Sequence, residues 1–303
     1  MRRIAQVVLM LAMAGVTGTA SAALNVFACE PEWGALVTEL ADDRTKVFNA
    51  TTAFQDVHRV EPRPSLIAAM RRADLVICTG ASLEMGWLPL LLAQSGNAKV
   101  QPGQPGYLEA SGLVAKLEVP TVLDRSLGDL HPEGIPHVQL DPRNIGVIAI
   151  VVAQQLGSID PGGAAVYDQR LADFLSRWEQ ARVRWEKQAL PLKGLRVIQR
   201  EKDFVYLFAW LGIEQAGMLE PKPGVGPSIS HLAGLLARQR AQPSDLIVYA
   251  PYQDPRASEW LAERAKIPSL VLSTTVGGTP EAKDLFGIFD AAVMRLLTAA
   301  DRR

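Results

Sequence analysis

The sequence predicts an α/β protein of two domains, each with a parallel sheet, joined by one long helix. Short apolar runs alternate with helical patterns in both halves, which is typical of βαβ units with right-handed crossovers. One helical pattern, residues 164–190, continues without internal Gly or Pro and would span roughly 40 Å. The 303 residues, 48% of them hydrophobic, are enough for two cores.

Residues 1–22 are predicted to be a signal peptide. Met1-Arg2-Arg3 is a basic start, residues 4–16 are apolar, and Ala20-Ser21-Ala22 supplies the small residues before a cleavage site. A membrane anchor is the alternative, but about 13 apolar residues are fewer than the roughly 20 that span a bilayer. We therefore expect an exported, periplasmic protein whose mature chain starts at Ala23.

The first predicted domain covers residues 23–158. Residues 74–78 are apolar throughout, as a strand buried on both faces requires. Residues 102–136 are rich in Gly, Pro and Asp, and loops of that length are usually functional or mobile. The predicted strands are 24–29, 47–51, 74–78 and 99–101, and the predicted helices are 32–40, 65–72, 83–95 and 145–156, the last capped by Asn144.

The connecting helix is assigned to residues 159–190, and Pro191 and Gly194 end it. The second predicted domain covers residues 191–303 and resumes the alternation. Its predicted strands are 195–199, 217–220, 245–250 and 269–272, and its predicted helices are 203–211, 229–239, 255–265 and 284–300.

Composition and motifs exclude several function classes. Lys plus Arg, 31 residues, nearly balances Asp plus Glu, 32 residues, so no net field would attract nucleic acid or an anionic membrane. The sequence has no GxSxG elbow, no HExxH, no Walker A and no GxGxxG after the first strand. We expect neither a nucleic-acid partner nor a common catalytic machinery.

The two cysteines, Cys29 and Cys78, lie near the ends of two predicted strands. In an oxidising compartment two nearby thiols would tend to pair if these strands are neighbours. Otherwise both are buried small hydrophobic residues. The sequence leaves both readings open.

The four histidines are the candidate ligands. His58 lies in a strand-to-helix loop, and His137 ends the long excursion, so both are expected at the same edge of the first domain. His131 is an accessory ligand or an exposed side chain, and His231 is expected to pack or cap a helix. Imidazole suits zinc and neighbouring divalent metals, and two histidines need one or two further ligands.

The motifs around these histidines resemble those of the periplasmic solute-binding proteins and surface lipoproteins of zinc and manganese ABC transporters, of the cluster A-I type. Asp56-Val-His58-Arg-Val-Glu61-Pro-Arg-Pro-Ser65 is similar to the family pattern Asp-x-His followed by Glu-x-x-Pro-Ser. Pro136-His137-Val-Gln-Leu-Asp141-Pro142 is similar to Pro-His-x-x-x-Asp-Pro. The long helix, Leu219-Glu-Pro-Lys-Pro-Gly224 and Tyr252-Gln-Asp-Pro-Arg256 also match, and the resemblance covers essentially the whole mature chain.

The resemblance implies a divalent metal held between the two domains by His58 and His137. It places Glu201 where zinc-type relatives have a histidine and manganese-type relatives a glutamate. The family's fourth ligand would fall in residues 272–278, where this chain has only hydroxyl groups. Arg200 and Lys202 could instead pair with Glu201.

The resemblance further implies a monomeric receptor that delivers zinc, or alternatively manganese or iron(II), to an ABC permease in the inner membrane. Carboxylate in place of imidazole makes the ligand set harder, which favours the alternative metals. Two other hypotheses remain: a binding or scaffolding protein whose metal site has degenerated, and a zinc hydrolase with Glu61 or Glu201 as base.

Overall fold

Two four-stranded parallel sheets, joined by a long helix, form the fold in a computed structural model that describes residues 23–301 except 125, 127 and 129. The predicted fold class is confirmed. The predicted signal peptide, residues 1–22, lies outside the described residues. The proposed boundaries of the two domains and of the connecting segment stay predictions.

The first lobe is built on four strands whose order in the sheet is β2-β1-β3-β4. β3 is buried over its whole length, as its apolar sequence requires. The order reverses between β1 and β3, so the carboxyl ends of these two strands flank a topological switch point, where open α/β sheets bind ligands. The elements are β1 (Leu24–Ala28), α1 (Pro31–Ala41), β2 (Thr45–Asn49), α2 (Pro64–Arg72), β3 (Leu75–Cys78), α3 (Leu88–Ser95) and β4 (Tyr107–Glu109).

Two helices connect the lobes. They are α4 (Pro142–Ile159) and α5 (Ala164–Gln188), and the second is the predicted long helix. Its 25 residues extend for roughly 37 Å at 1.5 Å per residue. α5 packs against α1, against α4 and against the last helix that the structure describes.

The second lobe repeats the topology of the first, with strand order β6-β5-β7-β8. Its switch point lies between β5 and β7, so the segments that follow these two strands lie where an open α/β sheet binds ligands. Its elements are β5 (Arg196–Gln199), α6 (Val205–Leu211), β6 (Glu214–Met218), α7 (Ile229–Ala241), β7 (Leu246–Tyr249), α8 (Arg256–Ala265), β8 (Ser269–Val271) and α9 (Leu285–Ala300).

One apolar cluster runs through both lobes. It extends from Val26 in β1 through Trp178 in α5 to Phe289 in α9, all of them buried. The lobes therefore share a core along the long helix. Among the described residues no helix is both long and apolar enough to cross a membrane.

The predicted strand at 99–101 is wrong. Residues Ala98–Val100 form a 3₁₀ turn, in which the Asn97 side chain accepts a hydrogen bond from the Lys99 amide. The fourth strand is β4, whose Tyr107 pairs with Val76 of β3.

Two helix starts also differ from the prediction. α3 begins at Leu88 rather than at residue 83, because Pro89 is tolerated only in the first turn of a helix. Asp141, not Asn144, caps α4: its side chain accepts from the Arg143 amide, and the Asn144 side chain donates to the Val138 carbonyl instead.

Cys29, directly after β1, and Cys78, the last residue of the neighbouring strand β3, form a disulfide. Their Cα atoms are 4.8 Å apart, and both residues are fully buried. Of the two readings that the sequence left open, pairing is therefore the one found.

Candidate metal centre

A cleft of about 830 Å³ opens between the lobes at the carboxyl ends of both sheets. Seven histidine and carboxyl side chains that could bind a metal or orient its ligands line it, from the loops after β2, β4, β5 and β6. They are Asp56, His58, His131, His137, Glu201, Asp203 and Glu220. The three histidines for which a ligand role was considered thus meet at one place.

His58 is held by its own loop. Its Nδ1 lies 2.9 Å from Asp56 Oδ1, which also accepts the His58 backbone amide at 3.0 Å. The Trp87 indole fixes the loop by donating to the Val57 carbonyl. Burial works against a charged imidazole, yet the hydrogen bond and charge of Asp56 raise the pKa of His58 above its usual value.

His131 comes from the long excursion and faces His58. Its Nδ1 is 3.0 Å from the Ala81 carbonyl oxygen, and the two Nε2 atoms of His58 and His131 are 3.2 Å apart. The backbone of Gly80, Ala81 and Ser82 is left-handed, with φ of 78°, 50° and 64°. Such strain in non-glycine residues is common at functional sites, and here it lies beside the carbonyl that receives His131.

The two rings have the tautomers of metal ligands. Because each Nδ1 faces an oxygen acceptor, each Nδ1 carries the proton, and in the neutral rings both Nε2 atoms present lone pairs. Two lone pairs at 3.2 Å repel each other unless a proton or a cation lies between them. Histidines that bind metals almost always donate their other N–H to a carboxylate or a backbone carbonyl, as these two do.

His137 faces the second lobe. Its Nε2 is 3.3 Å from Asp203 Oδ1, and both side chains are almost fully buried. The Tyr252 hydroxyl donates to the same carboxylate at 3.1 Å, and Gln253 Nε2 donates to its other oxygen at 2.8 Å. Asp203 is therefore a preoriented carboxylate that meets the histidines from across the cleft.

The sequence reading missed Asp203. A signal was present, because Asp203 follows Glu201 by two residues in the segment after β5, at the switch point of the second sheet. The resemblance directed attention to Glu201 alone. Asp56, which the motif includes without a role, orients His58.

Glu201 lies at the cleft, as predicted, but it faces Glu220. Burial, followed by the charges of Asp203 and Glu220, raises the pKa of Glu201 to about 9. Arg200 and Lys202, the cations that could have paired with it, form ion pairs with Glu220 and Glu118. In the metal-free protein Glu201 is thus protonated near neutral pH.

Two further expectations concern residues 272–278 and His231. The Thr275 hydroxyl contacts Glu32, and the Thr274 carbonyl accepts from Gln139, so this segment joins the lobes behind the cleft. His231 packs with its Nε2 3.0 Å from the Met218 carbonyl, and its amide donates to the Ser228 cap, in agreement with the expected packing or capping role.

The distances suit tetrahedral coordination for two of the rings. Two nitrogens at 2.0–2.1 Å from one zinc ion are about 3.3 Å apart, close to the 3.2 Å between His58 and His131. Their ring centroids are 5.3 Å apart, whereas those of His58 and His137 are 6.3 Å apart. Coordination by all three rings would draw His137 inward by about 1 Å.

Comparison with known sequences identifies relatives across most of the chain. Residues 26–299 match the family described as "ZnuA: Zinc-uptake complex component A periplasmic". The Streptococcus pneumoniae manganese ABC transporter substrate-binding lipoprotein PsaA is 23% identical over 242 residues, 77% of this chain and 74% of that protein. The iron ABC transporter substrate-binding lipoprotein MtsA of Streptococcus pyogenes is 22% identical over 270 residues, 86% of this chain and 84% of that protein.

A shorter match is to the metal ABC transporter substrate-binding lipoprotein ScbA of Streptococcus cristatus. It is 27% identical over 165 residues, which are 53% of this chain and 50% of that protein. This chain thus aligns with about half the length of that relative.

Solved structures share the fold. A zinc-bound deletion mutant of ZnuA superposes with a TM-score of 0.77 at 19% identity, covering 92% of this chain and 98% of that one. A manganese-bound periplasmic metal binding protein from Candidatus Liberibacter asiaticus has a TM-score of 0.72 at 14% identity, covering 91% and 98%. These structures show the shared fold, and the family match over residues 26–299 shows that the chain belongs to the ZnuA family of metal-binding ABC transporter substrate-binding proteins.

Proposed function

We propose that this protein captures one zinc ion in the cleft and delivers it to an ABC permease of the inner membrane. The observation that carries the proposal is the pair of facing Nε2 atoms of His58 and His131, each on a ring whose Nδ1 is held by an oxygen acceptor. A divalent cation would relieve their repulsion. The family's metal-transport role supplies the delivery step.

The proposed ligands are His58, His131 and His137, with Asp203 as the carboxylate from the second lobe. A set of three imidazoles and one carboxylate is a set that zinc accepts. Glu201 is a further ligand only if it releases its proton and turns from Glu220. This set promotes His131 from accessory residue to ligand and makes Glu201 secondary.

Manganese or iron(II) is the second candidate. Glu201, Asp203 and Glu220 bring three carboxyl groups to one side of the cleft, and oxygen ligands suit these harder metals. The named manganese and iron relatives are consistent with this alternative.

The lobes are expected to move little on binding. Because the apolar cluster is continuous across α5, a large rotation would open the core. We propose that binding and release use small tilts and movements of the loop that carries His131, in a monomeric, periplasmic protein.

Isothermal titration of the mature chain, residues 23–303 stripped with chelator, tests the proposal. We expect one equivalent of zinc to bind more tightly than manganese, and His58→Ala to lower zinc affinity by more than the 10–100-fold typical of supporting residues. Tighter manganese binding would support the second candidate. If neither metal binds, and His58→Ala changes nothing, the site is degenerate and the protein has another role.

The hydrolase hypothesis has little support from the site. Glu61 is exposed and is not among the residues that line the cleft, and Glu201 faces another carboxyl group. If zinc-loaded protein hydrolysed a substrate and Glu201→Gln abolished that activity, the hydrolase hypothesis would be supported.

A further inference from the structure

The loop that carries His131 is closed at its base by hydrogen bonds. Residues 117–135 are called the His131 loop below, and its two end residues, Leu117 and Ile135, are its neck. The Ile135 amide donates to the Leu117 carbonyl oxygen at 2.9 Å. Gly134 permits this approach, because its φ is 105° and a Cβ there would lie 2.7 Å from the same carbonyl oxygen.

The second lobe holds the neck through the side chain of Tyr206 in α6. The Tyr206 hydroxyl accepts from the Leu117 amide and donates to the Ile135 carbonyl, both at 2.9 Å. A hydroxyl suits this position because it donates and accepts at once. Tyr206 is 2% exposed, so bulk water competes little for these two bonds. The neck is therefore joined to the second lobe at a buried point.

A tight turn connects His131 with the neck. The His131 carbonyl accepts from the Gly134 amide at 3.1 Å, and Gly134 directly precedes Ile135. The backbone of the histidine thus lies one turn from the residue that Tyr206 holds. A shift of the neck would move His131 with it.

Other contacts between this loop and the second lobe are weaker. Lys202 pairs with Glu118, and Lys222 donates to the Ser126 carbonyl at 2.6 Å. Both are contacts between exposed groups, which contribute little. The described residues of the loop form neither strand nor α-helix. The buried neck is therefore the main constraint that the second lobe places on the loop.

The same segment of the second lobe also carries a proposed ligand. Asp203, which faces His137, lies three positions before Tyr206. α6 further packs against the turn Val138–Leu140, directly after His137. Asp203 and Tyr206 thus connect the second lobe with two histidines of the first.

We propose that Tyr206 is a positioning residue for metal capture: by holding the neck, its hydroxyl places His131 opposite His58. This inference rests on the proposed function, since it takes His131 to be a metal ligand. Without the hydroxyl, the Leu117 amide and the Ile135 carbonyl lose their shared partner, and His131 occupies a wider range of positions. Only a fraction of the molecules then presents the ligand, which lowers the apparent affinity in proportion.

Tyr206→Phe tests this role, because it keeps the ring in the core and removes the hydroxyl alone. We expect zinc affinity to fall about 10-fold, the lower end of the range for supporting residues. In a His131→Ala background the same change should alter zinc affinity by less than about twofold, since the ligand that it positions is already absent. Competition titration with a chelator measures all four proteins.

Tyr167→Phe is the matched control. Tyr167 is a buried tyrosine of α5 whose hydroxyl donates to Asp160 at 2.8 Å, so its loss also removes a buried hydrogen bond. It should leave zinc affinity unchanged. Hydrogen exchange followed by NMR in metal-free protein supplies a second readout: Tyr206→Phe should speed exchange of the Leu117 amide, and Tyr167→Phe should not.

The outcomes separate this inference from the proposed function. Equal zinc affinity in Tyr206→Phe and wild type, an equal loss with and without His131, or unchanged exchange at Leu117 would each overturn the positioning role alone. Wild-type protein that binds no zinc, or His131→Ala that binds as tightly as wild type, would overturn the proposed ligand set and the positioning role with it. The exchange would still report whether Tyr206 holds the neck.

Discussion

At the scale of single residues, supporting carboxylates determine what the histidines offer. Asp56 holds His58 Nδ1 at 2.9 Å and so directs the Nε2 lone pair into the cleft. Asp203 is in turn oriented by Tyr252 and Gln253. The ligand geometry therefore depends on neighbours that would not themselves bind the metal, as well as on the ligands.

The substitution Asp56→Ala tests how much the hydrogen bond to His58 Nδ1 contributes to metal binding. Without the acceptor the His58 ring loses its preferred tautomer and orientation, and we expect zinc affinity to fall about 10–100-fold while the fold persists. Competition titration with a chelator measures it, with the exposed Asp43→Ala as control. Equal affinity in both variants would mean that His58 needs no orienting partner.

At the scale of elements, the carboxyl ends of the strands position the cleft, and the long helix α5 carries the core that the two lobes share. The equivalent strand orders of the two sheets place both switch points at the same cleft, one contributing Ser82 and Leu83 and the other Glu201 and Asp203. α5 carries Phe174, Trp178 and Trp185 on one face, and Trp178 contacts both other rings. This aromatic stripe connects the lobes through Phe286 and Phe289 of α9.

Trp178→Ala should be strongly destabilising, because it leaves a large void among rings that cannot all move inward. We expect a loss of about 3–5 kcal/mol in the free energy of unfolding. Urea denaturation gives the value, and Val183→Ala, on the exposed side of the same helix, should change it by less than about 0.5 kcal/mol. A loss below about 1 kcal/mol for Trp178→Ala would contradict the shared core.

The disulfide should stabilise the first sheet by restricting the unfolded chain. Its cysteines are 49 residues apart, and the double change Cys29→Ala/Cys78→Ala should cost about 2–5 kcal/mol. Denaturation with and without a thiol reductant is the measurement. The reductant should destabilise the wild type and leave the double variant unaffected; the opposite pattern would show that the pair is not oxidised in solution.

At the scale of the whole molecule, buried carboxyl groups lie near the contact between the lobes, where Glu32 hydrogen-bonds Thr275. Burial raises the pKa of Glu32 to about 7 and that of Glu84 to about 7, from an ordinary value near 4.5. Both groups bind protons more tightly in the folded protein than in the unfolded chain. Their contribution to stability is complete below pH 4.5 and is lost as the pH rises through 7.

We therefore expect metal-free protein, kept in chelator, to become less stable between pH 5 and pH 8, by up to about 1.4 kcal/mol per pH unit for each carboxyl group. Glu32→Gln should reduce this slope, and Glu214→Gln should not. Melting temperatures across the pH range provide the check. A stability that stays flat or rises over this range would show that these carboxyl groups are already ionised in the folded protein.

The sequence alone determined the fold class and pointed to His58 and His137, which both line the cleft. Strand and helix periods are local, so alternation and the uninterrupted pattern at 164–190 could be read directly, and the motifs around His58 and His137 are contiguous. The same locality limited the reading. The predicted strand at 99–101 was wrong because Asn97 caps a 3₁₀ turn there, and the predicted Asn144 cap was wrong because Asp141 caps α4. In both places the sequence contains two short signals of similar strength, and the pattern alone does not choose between them.

Only the tertiary structure decided which distant residues meet. The ring of His131 lies against that of His58 across 73 positions, Asp203 reaches His137 across the cleft, and Glu201 faces Glu220 rather than a cation. The Tyr206 hydroxyl likewise reaches the neck of the His131 loop only where the lobes pack. Such contacts arise from the packing of two sheets on one helix, and no pattern of neighbouring residues encodes their distances.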